Sequence, residues 1–123
     1  MKKFFVCFLF IVFLYACGGG GTKSNKSSSA DISKNPDYQA GLAIASKSNC
    51  FTCHNIEEKV TGPSYREIAN KYANAPDTII DYLADKIISG GGGVWGEIPM
   101  VPHPEISKED ARKLAKYVLL LKK

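Results

Sequence analysis

Five residues constrain this chain more than any others: Cys50-Phe51-Thr52-Cys53-His54. Two cysteines separated by two residues, with histidine directly after, form the pattern for covalent attachment of a c-type haem. The chemistry sets the spacing. Each thiol adds across one haem vinyl group, and a short helical turn carries both sulfurs to one porphyrin edge. His54 then lies beneath the ring and can offer an imidazole nitrogen to the iron. A thioredoxin-like redox pair would need a βαβ setting, and no strand-like run precedes Cys50. Half a structural zinc site would need two more ligands. Only His54, abutting Cys53, and His103, in a proline-flanked loop, are on offer.

Four cysteines in a short secreted chain would ordinarily suggest two disulfides. Here the first two are assigned elsewhere. Met1 to Ala16 has a basic start (Lys2, Lys3) and an apolar run from Phe4 to Tyr15. This reads as a secretory signal, too short for a permanent membrane span. Leu14-Tyr15-Ala16-Cys17 resembles a bacterial lipobox, in which cleavage before Cys17 leaves that cysteine to be acylated. Each buried methylene of such chains adds about 0.8 kcal/mol of membrane affinity. The alternative is an ordinary signal peptide with an incidental Cys17. With Cys7 removed, Cys17 lipidated and Cys50 and Cys53 on haem, no disulfide is expected.

From Gly18 to about Lys34 the chain is Gly, Ser, Lys, Asn and Thr with little that is apolar. Such a segment cannot bury enough surface to offset its ordering entropy and is expected to be a flexible tether. The expected division is a leader over 1–16, a lipid-anchored linker over 17–35 and a folded domain over 36–123. Lys2, Lys3, Lys23, Lys26 and Lys34, against Asp31, account for the formal charge of +4 and leave the domain near neutral. With no clustered basic helix face and no aromatic stacking platform, the basic balance does not read as nucleic-acid binding, and no nucleic-acid partner is expected.

A domain of about 88 residues has a marginal core. A covalent haem would supply the missing apolar surface, so the haem-free chain is expected to be largely unfolded. Helical patterning fills the domain. Asn35 can cap a first helix that has Pro36 at its first position and Asp37 at its positive end, with Tyr38, Gly41, Leu42 and Ala45 on one face. Ser64 and Glu67 form a capping-box pattern before the stripe Tyr65, Ile68, Ala69 and Tyr72. A third helix is expected to start near Pro76, bury Ile80, Leu83, Ala84 and Ile87, and stop at Gly90. The last opens at Ser107, with Asp110 at the box position, and presents Ala111, Leu114, Ala115, Val118 and Leu121. No stretch alternates with period two, so the domain reads as all-α.

Two loops remain. Thr61-Gly62-Pro63 enters the second helix, and a longer loop runs from Gly90 to Pro104. Its four glycines lack the Gly-Lys-Ser/Thr and following helix of a phosphate cradle. They suit a backbone pressed against a flat ring. Met100, in a proline-braced segment, is then the natural sixth iron ligand, and its thioether would raise the reduction potential relative to a second histidine. His103, three residues on, is the rival ligand.

From Asn49 to Lys123 the chain resembles the short bacterial class I cytochromes c, the c-551/c-552 type. The residues that carry the resemblance are Cys50-Phe51-Thr52-Cys53-His54, Gly62-Pro63-Ser64-Tyr65, Ile68-Ala69-Asn70-Lys71-Tyr72, Gly93-Val94-Trp95-Gly96 and Ile98-Pro99-Met100. It implies helices wrapped round one haem, the first and last crossing near Gly41 and Tyr117. It also implies His54 and Met100 as axial ligands and a Pro63 carbonyl that accepts from the free ring nitrogen of His54. Trp95 would donate its indole N–H to a haem propionate. Two positions depart from the pattern: Lys86 stands where relatives often carry an arginine near the propionates, and His103 where an asparagine often bonds the methionine sulfur.

A haem closed on both axial sides implies electron transfer. The expectation is a mono-haem one-electron carrier, tethered through Cys17 in a bacterial cell envelope, with its domain in the periplasm or on the outer membrane face. Its partners would be redox proteins: a quinol-oxidising complex or other cytochromes upstream, a terminal oxidase or reductase downstream. Two alternatives are a haem subunit fixed in such a complex and, if Met100 is not a ligand, a haem enzyme that binds peroxide or nitric oxide.

Overall fold

The computed structural model describes residues 31–123. The leader, Cys17 and most of the expected tether lie outside the described residues. Asp31 caps a 3-10 turn over Ile32–Lys34, and Gln39 Nε2 donates to Ser33 O (3.0 Å), tying this turn to the first helix.

Four helices follow: α1 (Pro36–Lys47), α2 (Tyr65–Lys71), α3 (Thr78–Ser89) and α4 (Lys108–Leu120). Their starts obey the capping chemistry. Asn35 Oδ1 accepts from Asp37 N (2.8 Å) and Tyr38 N (3.3 Å). Ser64 and Glu67 form a complete capping box: Glu67 N donates to Ser64 Oγ (3.1 Å), and Ser64 N donates to Glu67 Oε2 (2.7 Å). Ser107 Oγ accepts from Asp110 N (3.1 Å). The third helix begins at Thr78, two residues later than Pro76. There Ile79 N bonds Pro76 O and Ile80 N bonds Asp77 O, both three residues back, so the entry is a tighter turn.

The last helix is the hub. It packs against α1, α3 and α2 in turn, burying Ala111, Leu114, Ala115, Tyr117 and Val118. At its crossing with α1, Gly41 lies flush against Tyr117. A Cβ on Gly41 would collide with Tyr117 Cβ and sit 2.8 Å from Lys113 O. The Gly41 backbone therefore packs directly on the Tyr117 side chain and the Lys113 carbonyl. Tyr38 and Tyr65 flank Tyr117 edge-on, with centroids at 5.1 and 5.8 Å.

Ion pairs bind the exterior. Arg112 and Lys108 of α4 meet Asp81 and Asp85 of α3, Lys116 meets Asp37 of α1 (3.4 Å), and Arg66 of α2 binds Glu57 and the Leu121 carbonyl. Among the described residues there is no strand, only the isolated bridges His54/Lys59 and Gly91/Met100. No helix there is long and apolar enough to cross a membrane.

The protein's own core is thin. Among the described residues, five of the thirteen buried apolar ones are alanines, Ala45, Ala69, Ala84, Ala111 and Ala115. Ile80 and Leu83, expected to be buried, are only half-buried on α3. Among the described residues that face is covered fully at Ala84 and Ile87 and only partly toward the start of the helix.

Candidate haem-binding site

The motif sits where α1 ends. After Ser48 the chain takes a left-handed residue, Asn49 (φ 55°), and enters a 3-10 turn over Cys50–Thr52. Cys53 N and His54 N both donate to Cys50 O (3.2 and 3.0 Å), which gathers the two sulfur-bearing residues and the imidazole on one turn. Both cysteines are free thiols. Burial pushes the Cys50 thiol above its ordinary value.

His54 is 8% exposed and held on several sides. Its Nδ1 lies 2.7 Å from Pro63 O. A carbonyl can only accept, so Nδ1 carries the proton and Nε2 keeps the lone pair. Tyr65 stacks on the imidazole, centroids 5.4 Å apart and planes 16° from parallel. Gly62 closes another approach: a Cβ there would lie 2.5 Å from His54 Cε1 and 2.9 Å from Nδ1. The loop that makes this possible is pinned by Gly62 N to Cys53 O (2.9 Å), Tyr65 N to Asn55 O (2.9 Å) and Arg66 N to Ile56 O (3.0 Å). The stack by Tyr65 was not foreseen, because its place in the stripe of α2 announces core packing and nothing more. The Gly-Pro pair beside it was the available signal for the close approach.

Met100 is half-buried against the core and paired with Gly91 through two backbone hydrogen bonds of 3.0 Å. His103 Nδ1 lies 3.0 Å from Glu105 Oε1. Trp95 is half-buried, with the Tyr72 ring 6.5 Å away edge-on and Lys71 Nζ 5.3 Å from its centroid. Lys86 Nζ lies 5.8 Å from the Tyr82 centroid and beside Gly91, so it shares the neighbourhood of the Met100 clip. Cys17 is outside the described residues.

These residues fit a covalently held haem. Two free thiols flank one turn, and the Pro63 carbonyl leaves Nε2 as the nitrogen of the clamped imidazole with a free lone pair. Val60, Ile98 and Val101 remain 56, 68 and 62% exposed in the adjoining loops, apolar surface that the described residues leave largely open.

An all-α domain built round such a turn has the architecture of the c-type cytochromes. The cytochrome c family matches residues 38–122. Cytochrome c-552 of Nitrosomonas europaea is 49% identical over 84 residues, covering 68% of this chain and 81% of that protein. Cytochrome c-552 of Hydrogenobacter thermophilus is 42% identical over 83 residues, with 68% and 83% covered. The crystal structure of the wild-type Nitrosomonas protein superposes with a TM-score of 0.63 at 48% identity, covering 66% of this chain and 99% of that one. The chain belongs to the cytochrome c family, as a class I c-type cytochrome, and carries one covalent haem c with its iron.

Proposed function

We propose that the protein is a membrane-tethered one-electron carrier whose iron is ligated by His54 and Met100. Bound haem supplies the ferric/ferrous couple. The chain's own residues do the rest. Cys50 and Cys53 hold the porphyrin by two thioether links. Pro63 O, 2.7 Å from His54 Nδ1, fixes the tautomer and makes the imidazole a stronger donor. That contact is the observation that carries the reading, since it leaves Nε2 as the free nitrogen. Met100 would supply a second ligand to the iron, which would leave no coordination site for peroxide, oxygen or substrate, and Trp95 and Lys86 would serve the propionates.

Cys17 carries the lipid, residues 17–35 form the linker, and residues 36–123 work as a monomeric domain on the periplasmic or outer face of the envelope. A lipid anchor joined to the domain by such a linker would keep it at a high effective concentration near redox partners in the same membrane. Those partners are a quinol-oxidising complex or other cytochromes on one side and a terminal oxidase or reductase on the other.

Two variants test the reading. Met100→Ala holoprotein should lose the sulfur-to-iron charge-transfer band, show a lower reduction potential and gain carbon monoxide binding in the reduced state. Retention of the band would remove Met100 from the iron. Cys17→Ala should shift the protein from the membrane fraction to the soluble fraction; an unchanged distribution would remove the lipid anchor.

A further inference from the structure

We propose that Gly90 is the positioning residue for the Met100 thioether, a role that rests on Met100 being the axial ligand. The last turn of α3 closes with Gly90 N donating to Lys86 O (2.8 Å). Gly90 then adopts φ 67°, ψ −152°, a region open in practice to glycine alone. This reversal sets Gly91 opposite Met100. Gly91 N donates to Met100 O and Met100 N donates to Gly91 O, each at 3.0 Å. Three residues on, His103 N donates to both Ile87 O and Ile88 O at 3.1 Å. Residues 100–103 are thus fastened at one end to Gly91, just past α3, and at the other to the final turn of that helix.

The fit against Gly90 leaves no slack. A Cβ there would lie 2.5 Å from Met100 O, 2.9 Å from Pro102 N and 3.0 Å from Val101 C. All three are backbone atoms, which cannot swing aside as a side chain would. The rest of the loop differs. Gly93 (φ 99°) and Gly96 (φ 126°) have nothing within 4 Å of an added Cβ. Backbone strain is common to all three positions, but the steric seat of Met100 exists only at Gly90.

A neutral thioether is a weak donor, so its bond to iron depends on being presented in place rather than found by a mobile loop. The clip raises the local concentration of sulfur at the iron in the same way that any short tether does.

The experiment compares Gly90→Ala, Gly96→Ala and Met100→Ala holoproteins in the ferric state near neutral pH. Gly90→Ala is expected to lose the sulfur-to-iron band and to move in potential toward Met100→Ala, while Gly96→Ala keeps both properties. A folded Gly90→Ala with the wild-type band and potential overturns the proposal while Met100→Ala still shows the ligand. A band that survives Met100→Ala overturns the ligation and this role with it. Should Gly90→Ala fail to accumulate as folded holoprotein, amide exchange on the wild type decides. The Gly91 and Met100 N–H groups should become exchangeable together with loss of the band as pH or denaturant rises. Loss of the band while both amides stay protected overturns the proposal.

Discussion

The α1/α4 crossing and the loop from Gly90 to Pro104 are built on opposite principles. At the crossing, Gly41, Ala45, Ala111 and Tyr117 are buried, and the absent side chain of Gly41 lets α1 close onto Tyr117 and the Lys113 carbonyl. In the loop, Val94, Ile98 and Val101 are exposed, and order comes from a few backbone hydrogen bonds to the end of α3. The crossing has no slack anywhere; the loop has none at Gly90 and plenty at its tip. The contrast sets the crossing and the Met100 loop in separate parts of the fold, while Tyr65, packed on both Tyr117 and His54, ties the crossing to the imidazole side of the site. Damage to one should be readable without damage to the other.

The largest break should come at the crossing. Gly41→Ala forces a methyl into Tyr117 and the Lys113 carbonyl. It is expected to lower the stability of the holoprotein by about 1–3 kcal/mol, measured by denaturant unfolding, with the sulfur-to-iron band unchanged in the folded fraction. A band lost in step with stability would show that the two regions are coupled. A smaller effect sharpens the comparison from the surface. Arg66 beside Glu57 holds that carboxyl down from its ordinary 4.5 to about 2, with Lys123 helping. A carboxyl depressed in the folded state stabilises the fold above its unfolded value and loses that contribution as pH falls toward the folded one. The Arg66–Glu57 share of stability should therefore be present above pH 4.5 and disappear toward pH 2. Glu57→Gln should flatten the acid limb of a stability–pH curve over that window and leave the potential unaltered. An acid limb identical to the wild type would deny the pair any such share.

How much was visible in the residues follows the same division. Asn35, Ser64 and Ser107 announced helix starts because a cap is a local event, decided by one side chain and the amides two or three positions on. The buried face of α4 was legible from its periodicity, and the contact of Gly41 with Tyr117 came from family resemblance. What the pattern could not give was the half-exposure of Ile80 and Leu83, because apolar spacing marks a face without saying whether protein will cover it. Nor could it pair Gly91 with Met100 or stack Tyr65 on His54. Those contacts join residues nine or more positions apart, and nothing in either partner's immediate sequence names the other.

The alanine-rich interior bears on how long the protein survives in the cell. A chain with so many alanines among its buried apolar residues would stay open to proteases until porphyrin is joined to it, and cleavage of an open chain is irreversible. Its steady-state abundance would then be governed by the supply of haem and the speed of attachment, with expression of the polypeptide setting only the upper limit.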